Sequence, residues 1–217
     1  MTSVFDKAWG EATALFNRTR RAWSLMDLGV LLGVFGIGYG LLNVAQEWTG
    51  VWHPAVEINL SPLALPKYAF FSLTRAALAY VLSLLFTLGY GYWAAKDARA
   101  EKVLIPMLDI LQSIPVLGFM PGLVLALVTM FPDSNIGLEL AAVLMIFTSQ
   151  VWNMTYSFYH SVKTLPKDLV DAAKIFRFSR GQQFMWVEFP YSMVGLVWNS
   201  IMSVAGGWFF LMISEAF

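Results

Sequence analysis

"DLVDAAKIFRFSRGQQFMWVEFP", residues 168–190, interrupts a chain that is otherwise mostly apolar. Its charges follow a pattern. Leu169, Ala172, Ala173 and Phe176 recur at i, i+3, i+4 and i+7 and make one apolar stripe on a helix. Lys167, Asp171 and Lys174 fall on the other side, where Asp171 can pair with a lysine in either direction. Pro166 suits a first helical turn, and Asp168 and Asp171 favour the positive end of the helix dipole. The small pair Ala172–Ala173 lets another surface approach closely. Ser179 and Gln182 have the S-x-x-Q spacing of a capping box and predict a second short helix. Pro190 then reads as a stop before the next apolar run. Two short helices with an apolar stripe and a charged rim suit either the membrane surface or the groove of a partner protein.

The rest of the chain decides what surrounds this segment. Of 217 residues, 58% are hydrophobic and 13% charged, and the mean hydropathy is +0.63. Soluble domains carry roughly a quarter charged residues, so the composition is that of a membrane protein. Net charge is zero, which gives no footing for nucleic acid. With no cysteine there is no disulfide framework and no thiolate metal site. The first 25 residues lack the apolar core and cleavage site of a signal peptide.

Five segments are long and apolar enough to cross a bilayer, which takes about 20 residues. They are 28–44, 69–95, 103–131, 136–159 and 191–214, with Asp27 as N-cap of the first. Twelve of the fourteen Lys and Arg fall in the N-terminal tail 1–27, in 96–102 and in the loop 160–190. The 132–135 loop holds none. By the positive-inside rule the N-terminus and the 160–190 loop are cytoplasmic, and the loop after the first span faces outward. The expected fold is an all-α, multi-pass helical bundle of about five spans. All sides of the spans are apolar, so periodicity assigns no faces.

At this point the sequence resembles a known family. The permease subunits of binding-protein-dependent ABC importers carry E-A-A, three residues, Gly, nine residues, then I-x-L-P. This chain reads Asp171-Ala172-Ala173 and then Val187-Glu188-Phe189-Pro190 at the same spacing, with Arg177 in place of the Gly. That Gly sits in the turn between two coupling helices, so the resemblance leaves the shape of the turn in question. "SLTRAALAYVLSLLFTLGYGYWAA" (72–95) and "ILQSIPVLGFMPGLVLAL" (110–127) look like the second helix and the proline-broken third helix of the nitrate, sulfonate, taurine and bicarbonate branch. Residues 197–217 are similar to the region after the motif, most of all in fused, double-length members.

The resemblance implies a type I (MetI-like) permease fold in the inner membrane. It also implies cytoplasmic ABC ATPase subunits, a periplasmic or lipid-anchored solute-binding protein, and a second permease half, either a copy or a fused partner. Asp171, Ala172, Ala173, Lys174, Phe176, Arg177, Arg180 and Pro190 would form the ATPase-coupling surface. Family members continue with another helix beyond the position of Glu215, so the expectation is a fragment or the front half of a fused permease. The implied solute is a small anion such as nitrate, a sulfonate, taurine or bicarbonate.

Candidate path residues are polar or helix-breaking groups at bilayer depth: Arg75, Pro115, Pro121, Asn153, Asn199 and Glu215. Arg75 reads three ways: snorkelling to the outer interface, lining an anion path, or forming a structural ion pair. Glu139 and Glu215 read as solvated span ends or path groups. Gln150, Asn153, Asn199, Ser200 and Ser203 are expected mainly to hydrogen-bond neighbouring helices. Pro115 and Pro121, with Gly118 and Gly122, either break the third span or kink it. Gly29-x-x-x-Gly33 and Gly36-x-x-x-Gly40 permit close helix packing. His53 and His160 are isolated.

No Walker A loop, nucleophile elbow or zinc pattern is present. The expectation is therefore a transporter subunit with no catalytic residue, cofactor or ATPase site of its own. The rival is a non-transporting membrane scaffold, or inactive permease fragment, that docks a cytoplasmic partner through the same loop. An intramembrane enzyme would need a catalytic pair at one depth, and the spans offer none.

Overall fold

The computed structural model describes residues 25–50 and 59–216, and every regular element in them is helical. Most of the N-terminal tail, with Lys7, Arg18, Arg20 and Arg21, lies outside the described residues, as does His53. The chain divides into two units, Met1–Gln46 and Glu47–Phe217. The described part of the first belongs to helix α1 (Leu25–Thr49), which has Asp27 in its first turn. A Cβ added at Gly29, Gly33 or Gly36 would meet nothing within 4 Å.

The second unit holds α2 (Pro62–Lys96), α3 (Ala98–Ser113), α4 (Val116–Met130), α5 (Ile136–Lys163), α6 (Lys167–Ile175) and α7 (Arg180–Ser214). The helices α1, α2, α5 and α7 are each long and apolar enough to cross a membrane. The second span begins well before residue 69. Ser61 accepts a hydrogen bond from the Leu63 backbone N–H, and Pro62 stands at the first position, where its missing donor costs nothing.

The third expected span, 103–131, is not straight. The helices α3 and α4 meet at a 90° bend. Ile114 and Pro115 are both extended there, because a proline ring disfavours the helical conformation of the residue before it. Pro115 makes the break. Pro121 lies inside α4 without ending it. Asp97 caps α3, accepting from the N–H groups of Arg99 and Ala100, so helix replaces most of the expected 96–102 loop.

The loop expected over 160–190 is also shorter. α5 runs on to Lys163, α7 starts at Arg180, and only 164–179, including the short α6, lies between them. Pro190 is not a stop. It sits inside a continuous helical run, directly after a π-helical stretch, Phe184–Glu188. The Phe189 N–H there reaches back to the Phe184 carbonyl. Such a widened turn takes up a proline that has no N–H to give. α2 contains a second π stretch, Thr87–Gly91.

α5 is the centre of this unit. It is the most buried of the membrane-length helices of this unit, ahead of α7 and α2. Ala79 of α2 packs with Val143 and Ile146 of α5 and Leu211 of α7. Towards the other end of α5, Met154, Phe158 and Val162 pack on Leu196 of α7, with Leu84, Leu88 and Phe184 alongside. In hydrocarbon, apolar burial gives little gain, so close contact between small residues matters more. Gly137 is such a place: a Cβ there would stand 2.6 Å from the Leu127 carbonyl oxygen of α4. Elsewhere the surface is apolar and open, as at Val81, Leu85, Trp198, Ile201 and Phe209. Water would not tolerate so large an exposed apolar area, and a bilayer does.

Candidate functional site

α6 projects the sequence motif into the open. Pro166 is its N-cap, Asp168 lies in its first turn and Lys174 in its last. Asp171 accepts from Lys174 Nζ at 2.8 Å. Both side chains are more than 60% exposed, so this pair contributes little to stability and leaves its charges available. The apolar stripe divides. Ala173 is buried, while Leu169 and Phe176 are exposed. Together with Trp186 and Tyr191 of α7 they line a groove of about 370 Å³.

Arg177 resolves the question raised by its position. It has φ 53°, in the left-handed region, and is the one non-glycine residue there among the described residues. The Phe178 N–H bonds the Ala173 carbonyl and the Arg177 N–H bonds the Lys174 carbonyl. This pair of bonds is the Schellman ending of a helix, whose left-handed position glycine normally fills. The turn keeps a glycine-type shape although the glycine is gone. An L-residue in that conformation costs roughly 1–2 kcal/mol. The expected capping box follows, with Ser179 N–H on Gln182 Oε1 at 2.9 Å and Gln182 N–H on Ser179 Oγ at 3.4 Å. Arg180, at the start of α7, is exposed.

Glu188, one residue before Phe189-Pro190, is only 1% exposed. Lys96 Nζ donates to its Oε1 at 2.5 Å and Gln183 Nε2 donates to the same oxygen at 2.7 Å. Its Oε2 has no hydrogen-bond partner among the described residues. Sequence reasoning passed over this pair, treating Lys96 as one basic loop residue and Glu188 as the free position of the motif. The available signal was a carboxylate set among Phe184, Met185, Trp186, Val187 and Phe189.

At the other end of the same two helices, Arg75 of α2 holds both oxygens of Glu139 of α5. Its Nη1 also reaches Glu215 Oε1 at 3.0 Å, just past the end of α7. Of the three readings of Arg75, the geometry is that of the ion pair, and two carboxylates outnumber its one charge. The other path candidates do not join this cluster. Asn199 is sixteen residues before Glu215 in α7, about 24 Å along the axis. Its Nδ2 donates to the Gly195 carbonyl of its own helix. Asn153 is exposed on α5, fourteen residues and about 21 Å beyond Glu139.

The buried polar groups also divide. Tyr80 O–H donates to Ser200 Oγ at 3.1 Å, a bond between neighbouring helices of the expected kind. Gln150 Oε1 and Ser203 Oγ are buried without a protein partner among the described residues. The Gln150 side chain occupies the space that a Cβ on Gly207 would take.

This arrangement has known relatives. Over 142 residues the chain is 24% identical to the nitrate import permease protein NrtB of Leptolyngbya laminosa, covering 61% of this chain and 48% of that protein. It is 25% identical, over the same shares, to the bicarbonate transport system permease protein CmpB of a Synechocystis strain. The Synechocystis NrtB is 21% identical over 168 residues, 73% of this chain and 58% of that protein. The chain thus spans about half the length of the curated relatives it matches. The family of binding-protein-dependent transport system inner membrane components matches residues 87–217, from the π stretch of α2 through α7. With well over half of its residues in that match, and with the loop motif folded as a capped helix between two membrane-length helices, the chain belongs to this family of multi-pass inner membrane permeases.

Proposed function

We propose that the chain is a membrane-spanning permease subunit of an ATP-driven importer for a small anion. The observation that carries this reading is α6 and its turn. A short capped helix with a half-open apolar groove and an exposed acidic and basic rim stands between two membrane-length helices. A helix presented in this way suits insertion into a groove of a partner. The partner is a cytoplasmic ABC ATPase, which closes on nucleotide and pushes on 166–180. α7 continues without interruption from Arg180 and carries the displacement into the bilayer.

The basic residues set the orientation, with the N-terminus and α6 in the cytoplasm. A periplasmic or lipid-anchored binding protein delivers solute at the opposite face, and a second permease half completes the path. Relatives named for nitrate and bicarbonate support a small inorganic anion as the solute. The chain's own site does not choose between them, because Arg75 is already committed to two carboxylates. Catalysis of ATP hydrolysis is left to the partner.

The test is affinity purification of the tagged protein from native membranes in gentle detergent, followed by mass spectrometry. The reading requires recovery of a Walker-motif ATPase, with recovery reduced about tenfold in Asp171→Arg if the contact lies on α6. A well-inserted protein with no ATPase would leave the scaffold as the better account.

A further inference from the structure

We infer that Lys96 and Glu188 are positioning residues that carry the motion of the loop segment across to α2, so that two helices respond where a single hinge at Pro190 would move one. The inference rests on the coupling reading above, and it goes beyond the motif, which contains neither residue in a defined role.

Four observations point the same way. Glu188 is joined to the loop segment by unbroken helix, eight residues from Arg180, so it follows any displacement of that segment. It reaches Lys96, the last residue of α2, across 92 positions of sequence. The link is reinforced beside the ion pair, where the Tyr92 and Phe184 rings meet edge-on at 5.0 Å and Lys96 Nζ stands 5.6 Å from the Tyr92 ring centre. Glu188 is the last residue of the π-helical stretch Phe184–Glu188 in α7, and Lys96 lies five residues after the stretch Thr87–Gly91 in α2. Single widened turns of this kind recur at functional sites in helices, where the regular ladder is interrupted.

The chemistry argues against a purely stabilising role. Glu188 is buried while the Lys96 side chain is 38% exposed, so the carboxylate carries the desolvation cost and the partly solvated lysine returns only part of it, which makes the pair a poor way to gain stability. Glu188 Oε2, moreover, has no hydrogen-bond partner among the described residues. What a short charged link adds is stiffness and register between two helices that are otherwise joined largely through α5. The far ends of the same helices are tied by Arg75 to Glu215, 3.0 Å apart, and their middles by Tyr80 to Ser200. α2 and α7 are thus linked at both ends, and the end near the loop segment is the one a partner can pull.

The experiment measures whether α2 moves relative to α5 when nucleotide binds, and whether Lys96 is needed. Spin labels on Trp93→Cys (α2) and His160→Cys (α5), both exposed, report the α2–α5 distance once the cysteines of the partner subunits are replaced and labelled protein is diluted with unlabelled. The full permease complex, purified from native membranes, is compared without nucleotide and trapped with ATP and vanadate. The expected result is a nucleotide-dependent change in that distance, kept in Lys96→Arg and lost in Lys96→Met while the ATPase stays bound. Solute-independent ATPase turnover in Lys96→Met should rise by about fivefold or more relative to the parent, within the range of typical coupling energies. A purely structural role would lower the yield of the complex and leave the distance change intact, which overturns the inference. A distance that does not respond to nucleotide in the parent complex also overturns it. Failure of the parent chain to recover any ATPase overturns the coupling reading and this inference with it.

Discussion

Arg75 grips Glu139 with two nitrogens, Nε on Oε2 and Nη2 on Oε1, across 64 residues of sequence. The pair ties α2 to α5, and Glu215 adds the end of α7. The arginine side chain is 19% exposed and that of Glu139 8%, so each charge depends on the other for the solvation it has lost.

Breaking this cluster from one side should therefore cost more than removing it from both. Arg75→Met leaves two uncompensated carboxylates and is expected to destabilise the solubilised protein by roughly 3 kcal/mol or more. The double change Arg75→Met with Glu139→Met should lose less than the sum of the single changes, with a coupling of about 1–3 kcal/mol. Thermal unfolding in detergent measures all three variants. Additive losses would mean that the contact does not hold the helices together.

Arg177 offers a gain instead of a loss. Replacing it by glycine relieves the left-handed strain at φ 53° and should stabilise the 167–183 segment by about 1 kcal/mol. Amide exchange of Phe178, whose N–H closes the turn, should slow accordingly. Arg177→Val, β-branched at the same φ, should speed it. Equal exchange in all three proteins would show that the turn is not held in this form.

Ser179→Ala removes the half of the capping box in which Ser179 Oγ accepts from the Gln182 N–H, keeps the backbone N–H that donates to Gln182 Oε1, and should cost the start of α7 about 1 kcal/mol. Faster exchange at the Gln182 N–H is the direct readout. Unchanged exchange would assign the order of this turn to packing alone.

Asp171→Arg tests the exposed rim. The aspartate is 63% exposed and, among the described residues, pairs with Lys174 alone, so its reversal should leave insertion and thermal stability within about 0.5 kcal/mol. ATPase recovery should nonetheless fall by about tenfold, the loss expected when a rim charge is inverted against a complementary partner. Full recovery would move the docking contact elsewhere.

Gly137→Ala probes the closest helix approach. The new Cβ would lie 2.6 Å from the Leu127 carbonyl oxygen and 2.9 Å from the Val128 Cα, both backbone atoms that cannot swing away. A loss of about 1–3 kcal/mol in thermal unfolding is expected from such overpacking. Gly89→Ala, with nothing within 4 Å, is the matched control.

Much of the loop segment was legible in the sequence because its determinants are local. The capping box and the stripe with Ala173 at its buried edge each involve residues a few positions apart, whereas the shape of the turn at Arg177 stayed open until its φ of 53° was seen. Apolar length also placed four membrane-length helices with correct type, since backbone groups in hydrocarbon must be satisfied within one segment. Local chemistry was ambiguous at the prolines. Pro115 breaks its helix, whereas Pro121 and Pro190 do not, and a π stretch invisible in the sequence accommodates the last.

The tertiary structure alone decided which charges meet. Spans that are apolar on every side carry no periodic signal of which face turns inward, so rotation about each helix axis is set by packing against α5. That packing brings Arg75 to Glu139 and Lys96 to Glu188, over 64 and 92 positions of sequence. What the sequence determined by itself is what one helix or one turn can determine: where segments cross, where they cap and where charge is excluded. The pairing of buried charges depends on how separate helices are rotated against one another, and only their contact fixes that.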